Sequence, residues 1–365
     1  MHSIRSDTPV FFMPNRVWRS TTGGALLDRF VGNPNPTDGY LSEDWLASTT
    51  RALNGEQSQG PDEGISRVRL PDATAGPLLT ELLAADPQGF LEKPEVPADG
   101  VGVLCKFLDA AMRLPIQCHP DRTFARRHYN SDHGKTESWL ILDSRTIDGE
   151  EPYLLLGFKP GINGEDFAAA TEAEDVAAMI DMLHRVPARP GDVWFIPGRF
   201  PHAIGPGVFM LEVQEPSDWV VVPERCCAAI ELPASVRWGP LDPATAMACF
   251  DYSGDTLEAV TERLRLQPKI VSRTDGETYR EIIGPAVTDC FCVDEILIER
   301  EYHYRSASAS LNIGVVTSGS GELVVGDAGF PLRRGDAFLL PCAIRAATFR
   351  AQEPLALYLI RPGAS

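Results

Sequence analysis

The chain's apolar residues come in short runs, each closed by turn-forming residues. GVLCKFLDA (102–110), ESWLILD (137–143), YLLLGF (153–158), DVWFIP (192–197) and VFMLEVQ (208–214) are spaced by segments drawing on 30 prolines and 31 glycines. Apolar runs of this length between breakers are strands rather than helices. Many such strands must stack as a sandwich or close into a barrel, and closure also removes exposed strand edges. Helical periodicity is confined to residues 164–185 and 254–266, with a weaker hint at 77–85. The expected fold is mainly β with a few short helices.

The grammar repeats. RPGDVWFIPGRFPHAI (189–204) and RRGDAFLLPCAIRAAT (333–348) share a basic residue, a Gly-Asp turn, an apolar strand and a proline. Two related jelly-roll barrels follow, and 365 residues exceed the length at which one hydrophobic core stops growing. His202 in the first copy has no histidine counterpart in the second, where Arg345 and alanines stand, so the second barrel is expected to hold no metal. The expected organisation is a catalytic barrel over 1–225, a partly helical connection over 226–275 and a second barrel over 276–365. The change from strands to a proline-interrupted, then helical, stretch lies between Pro223 and Gly254.

With 44% apolar and 23% charged residues this is a folding sequence. Its 51 acidic against 33 basic residues, a net charge of −18, argue against a nucleic-acid or anionic-membrane partner. A small phosphorylated substrate stays open, because a few cations in one cleft set the local field. The N-terminal segment lacks the continuous apolar stretch of a signal peptide, and eight scattered cysteines without a CxxC pair read as reduced thiols. A cytoplasmic location is expected; the oligomeric state is open.

In LPIQCHPD (114–121), Gln117 and His119 stand two apart, so on a strand they share one face while Cys118 points away. Glu137 opens an apolar strand, and His202 follows a strand and a turn. A barrel of the cupin type brings all four inward. Two imidazoles, one carboxylate and one amide oxygen suit a borderline divalent ion such as zinc with an open position, although manganese, iron, cobalt and nickel accept the same ligand types.

LCKFLDAAMRLPIQCHPD (104–121), HGKTESWLIL (133–142) and PGDVWFIPGRFPHAI (190–204) together resemble type I mannose-6-phosphate isomerase in its short bacterial form, within the cupin superfamily. RVWRSTTGGALL (16–27), YLSEDWLAS (40–48) and FMLEVQEPSD (209–218) continue the likeness over residues 10–222. The resemblance implies one zinc per chain on Gln117, His119, Glu137 and His202, active-site lysines at Lys106 and Lys135, and interconversion of mannose 6-phosphate and fructose 6-phosphate through an enediol-type intermediate. It also exposes a departure. The family places an arginine shortly after the QxxSD-like segment, whereas QEPSDWVVVPER reaches Arg225 late. Either Arg225 takes that role by a shifted register, or the substrate differs.

Arg199 and Glu43 are further candidate substrate contacts; a structural salt bridge and an ordinary loop carboxylate are the plainer readings. Trp45, Trp139 and Trp194 read as core aromatics, and His128 and His133 as exposed loop residues. The competing functions are isomerisation of another sugar or sugar phosphate, a non-catalytic sugar-binding cupin, and a cupin dioxygenase. The last of these resembles a more histidine-rich iron site.

Overall fold

The computed structural model describes residues 4–306 and 310–363. The outermost residues of the first and last expected units, 1–3 and 364–365, lie outside the described residues. The chain is mainly β, built on two large antiparallel sheets. In the first, seven strands lie in the order Arg265–Leu266, Val193–Ile196, Glu137–Ser144, Val208–Gln214, Leu104–Ala110, Glu43–Leu46 and Arg16–Val17. A three-stranded sheet of His202–Ile204, Tyr153–Phe158 and Leu183–Pro187 packs on its inner face, with Leu108, Trp139, Ile141 and Met210 meeting Leu154, Leu156 and Ile204.

The second seven-stranded sheet centres on Asn312–Ser318, Leu355–Pro362 and Phe291–Ile298. A four-stranded sheet packs on it, with Leu323, Leu332 and Phe349 meeting Phe338, Leu357 and Leu359. The sequence repeat has a structural counterpart. The Gly-Asp turns before Val193–Ile196 and Ala337–Leu340 both need a left-handed glycine, Gly191 at φ 90° and Gly335 at φ 91°.

The two large sheets share a core, which explains why central strands are buried on both faces. Along Leu104–Ala110 every residue is buried. Cys105 and Phe107 join Leu140, Phe209 and Leu211 in packing against Phe291, Val293 and Ile313 of the second sheet. The alternate residues Lys106 and Leu108 face the first barrel's interior. The connections also cross. Val10–Phe11 near the N-terminus pairs with Ala337–Leu340 in the second sheet, while Arg265–Leu266 belongs to the first and Lys269–Arg273 to the second.

The helical stretches are shorter than their periodicity suggests. The 164–185 segment divides into Gly164–Glu172 and Val176–Asp181 around Glu174 at φ 55°, Asp175 caps the second helix, and Leu183–Pro187 continues as a strand. Leu257–Leu264 is capped by Thr256, and Leu79–Ala85 is also helical. No helix among the described residues is long and apolar enough to cross a membrane.

One N-terminal contact sets the position of the cleft. The helix Ala25–Val31 begins over Asp109, whose carboxylate accepts the N–H groups of Gly24, Leu26 and Leu27 at 2.9, 2.7 and 3.1 Å. Hydrogen bonds to a charged group are worth about 1.5–3 kcal/mol each. Gly23 is required because a Cβ there would lie 1.7 Å from the Asp109 carbonyl oxygen. The preceding residues Trp18 to Thr21 are thereby laid along the rim of the first barrel, where they line its cleft.

Candidate metal centre and active-site cleft

His119, Glu137 and His202 converge inside the first barrel, each at most 1% exposed. Their inward ligand atoms all lie within 4.8 Å of one another. Antiparallel bridging to His202 places Gln117 beside it, the two backbones exchanging hydrogen bonds of 2.9 Å in both directions. Cys118 between the two expected ligands points away as the strand alternation requires, its Sγ 3.5 Å from Cys249 Sγ.

The rings are held by their outer nitrogens. Nδ1–H of His119 donates to the Trp219 carbonyl and Nδ1–H of His202 to the Phe200 carbonyl, both at 2.8 Å. That fixes the tautomer with a bare Nε2 facing inward, as metal-ligating histidines require. Glu137 Oε1 accepts the Trp139 indole N–H at 3.0 Å. His119 Nε2, His202 Nε2 and Glu137 Oε2 are buried without a hydrogen-bond partner. Burying three such atoms unsatisfied is costly. An ion between them removes that cost, so the residues fit a divalent cation. Burial, then the nearby Lys135 and His202, hold the His119 imidazole well below its ordinary range; burial likewise lowers that of His202. Neutral imidazoles are the ligand form. Among the described residues no other group of three such ligands occurs, in the second barrel or elsewhere.

A cleft of about 490 Å³ opens above these residues. A larger hollow of about 640 Å³, between the N-terminal segment and Phe330–Pro331, is mainly apolar and lies away from this cluster. The titratable groups make the smaller cleft the candidate site.

Two residues of the cleft wall, Lys106 and Glu212, belong to a cross-strand row. Trp45, Lys106, Glu212, Trp139 and Trp194 stand opposite one another on five adjacent strands. Lys106 Nζ lies 3.4 Å from Glu212 and 3.5 Å from Glu43, and its charge is retained because these carboxylates outweigh its burial. Burial opposes ionisation of Glu43 as well, yet Arg19 and Lys106 hold its carboxyl down at about 2. Glu212 goes the other way: burial, then the neighbouring Glu137, raise its pKa against the pull of Lys106. Lys135 is 5% exposed, with Nζ 3.9 Å from Glu137 Oε2.

Bacillus subtilis (strain 168) has a mannose-6-phosphate isomerase, ManA, that is 27% identical to this chain over 265 residues, covering 68% of the chain and 71% of ManA. The chain is a distant homologue of mannose-6-phosphate isomerases over most of its length. The Streptococcus mutans mannose-6-phosphate isomerase is 24% identical over 261 residues, 68% of this chain and 70% of that protein. A solved structure of the Bacillus subtilis mannose 6-phosphate isomerase matches with a TM-score of 0.73 at 24% identity, covering 97% of this chain and 99% of that one. The likeness in fold thus extends over nearly the whole chain. No family model matches the chain.

Of the residues singled out in the sequence, Gln117, His119, Glu137, His202, Lys106, Lys135 and Glu43 meet in or around this cleft. The two candidate arginines do not line it. Arg225 is exposed, with Nη1 2.7 Å from Glu174 and Nε 2.9 Å from Glu231. Arg199, at φ 71°, donates to the Cys249 and Ala248 carbonyls at 3.1 Å. The guanidinium on the wall is Arg19, which sequence reading missed because it precedes the family-like glycines as an ordinary basic residue. Glu212 and Gln214 were missed inside an apolar run. Gln214 stands directly across from Glu137 with a buried, unpartnered Oε1. The three tryptophans are core residues, as read, but Trp45 and Trp139 also donate their indole N–H groups to Glu43 and Glu137.

Proposed function

We propose that this chain is a metal-dependent aldose–ketose isomerase, with a divalent ion, zinc by ligand type, held by Gln117, His119, Glu137 and His202. The observation that carries the reading is the set of inward, unpartnered atoms of His119, Glu137 and His202 beside two buried lysines. When bound, the ion supplies Lewis-acid polarisation of the sugar's C1 and C2 oxygens. Residues 1–225 carry the chemistry in this reading, 226–275 connect, and 276–365 form an accessory barrel.

The reaction moves one proton from C2 of the open-chain aldose to C1 of the ketose through an enediol-type intermediate. Lys135 faces the oxygen on which negative charge develops, and in a buried cleft such a fixed cation stabilises that charge more than it would in water. Lys106 is pinned between Glu43 and Glu212 and keeps the wall beside C1 and C2 polarised. Trp139 fixes the Glu137 carboxylate, and the Trp219 and Phe200 carbonyls fix the two imidazoles. The relatives are named as mannose-6-phosphate isomerases, so mannose 6-phosphate and fructose 6-phosphate are the reference pair for the reaction.

Turnover in deuterium oxide tests the proton-transfer step. Ketose formed by the zinc-loaded protein is expected to carry solvent deuterium at C1, visible as loss of that proton signal by nuclear magnetic resonance. Ketose formed with C1 wholly protiated throughout would show that the transferred hydrogen never exchanges with solvent, as in direct hydride transfer, and would count against the enediol route.

A further inference from the structure

The far end of the cleft bears on which sugar it takes. Every cation on the cleft wall is already held by carboxylates. Lys135 is beside Glu137, and Lys106 lies between Glu43 and Glu212. Arg19 lies between Glu43, 3.0 Å from Nε, and Asp218, 3.1 Å from Nη2, while its Nη1 donates to Asn54 Oδ1 at 2.9 Å. Charges therefore alternate along Lys106, Glu43, Arg19 and Asp218, and this row presents no net positive field to an anion. An ion bound at Glu137 would free Lys135, but at the C1–C2 end, where the developing oxyanion needs it.

The outer part of the cleft adds negative charge and aromatic surface. Glu56 and Glu231 are on its rim, and the one arginine paired with Glu231, Arg225, is also paired with Glu174. Tyr129 and Trp219 pack ring on ring on the wall, centroids 4.5 Å apart, and the Tyr129 hydroxyl is buried without a partner. Carboxylates accept hydrogen bonds from hydroxyl groups, and aromatic faces pack on the C–H faces of a sugar ring. A phosphate dianion needs unspent guanidinium or ammonium donors. Here it would be desolvated against Asp218 and Glu43, the kind of repulsion by which sites reject wrong ligands.

From this arrangement of paired cations, rim carboxylates and the Tyr129–Trp219 surface, we infer that the cleft takes a neutral aldose, with a free hydroxymethyl group rather than a phosphate at its far end. The inference rests on the isomerase reading and specifies its substrate class.

The test is kcat/KM of the full-length, zinc-loaded protein for mannose and for mannose 6-phosphate, following the anomeric proton signals so that both are read identically. The expected result is a value for mannose at least about tenfold higher. Equal values, or a preference for mannose 6-phosphate, overturn the inference and leave the isomerase reading standing. Conversion of neither sugar by protein with zinc bound overturns the reading and the inference with it. Asp218→Asn removes one partner charge from Arg19 and keeps an acceptor for the Leu53 N–H, which Asp218 now binds at 2.9 Å. It is expected to shift the ratio about tenfold toward mannose 6-phosphate, and an unchanged ratio contradicts the inference.

Discussion

Glu137→Gln protein is expected to fold, to lose bound zinc and to lose turnover in the same preparation. Glutamine nearly preserves the volume and keeps an oxygen for the Trp139 indole N–H. It removes the only carboxylate among the three converging ligands. Zinc then faces two neutral imidazoles and amides without charge compensation, so its affinity should fall by at least about tenfold. Because a metal Lewis acid supplies several kcal/mol of transition-state stabilisation, turnover should drop by roughly 10³-fold. A thermal readout separates metal loss from misfolding. Zinc at 100 times its dissociation constant for the native chain should stabilise that chain by about 2.7 kcal/mol and the variant by at most about 1.4 kcal/mol. A variant that keeps full metal and full activity would remove Glu137 from the site.

Lys135→Met is expected to behave differently: metal retained, kcat reduced by about 10² to 10³. Lys135 Nζ is 3.9 Å from Glu137 Oε2, near enough to face a sugar oxygen beside Glu137 without being a ligand itself. Methionine fills the space of the buried stem, so a fall in kcat at constant zinc content reports lost charge rather than lost packing. Lys106 is the less informative lysine to replace. Its removal takes from Glu43 and Glu212 the buried cation they share, and breaking a buried ion pair costs about 3–5 kcal/mol of stability. An unaltered kcat in Lys135→Met would confine Lys135 to a structural role.

The convergence of His119, Glu137 and His202 was legible in the sequence because their spacing follows strand geometry. Gln117 and His119 share a face by simple alternation, and Glu137 and His202 stand at the ends of recognisable strands. The repeated Gly-Asp turn likewise announced two barrels, since both copies need the left-handed glycine. What stayed hidden depends on register between distant strands. Glu212 lies in an apolar run, and only its alignment with Lys106 and Trp139 makes it part of the site. Arg19 reaches the cleft because Asp109 captures the backbone of residues 24–27 and draws that segment onto the rim. Arg225, chosen for its place after QEPSD, is turned outward to Glu174 and Glu231. Helical periodicity over 164–185 ran past its true end because Glu174 interrupts it and Leu183–Pro187 is needed as the edge of the small sheet.

The central claim is that C1–C2 isomerisation happens at an ion held by His119, Glu137 and His202. The most direct measurement follows aldose-to-ketose conversion by chelator-treated protein, using mannose and mannose 6-phosphate in parallel, before and after one equivalent of zinc is returned. The account predicts no conversion without metal and restored conversion of at least one sugar with it, in step with bound zinc. Conversion that persists at full rate in metal-free protein would contradict it.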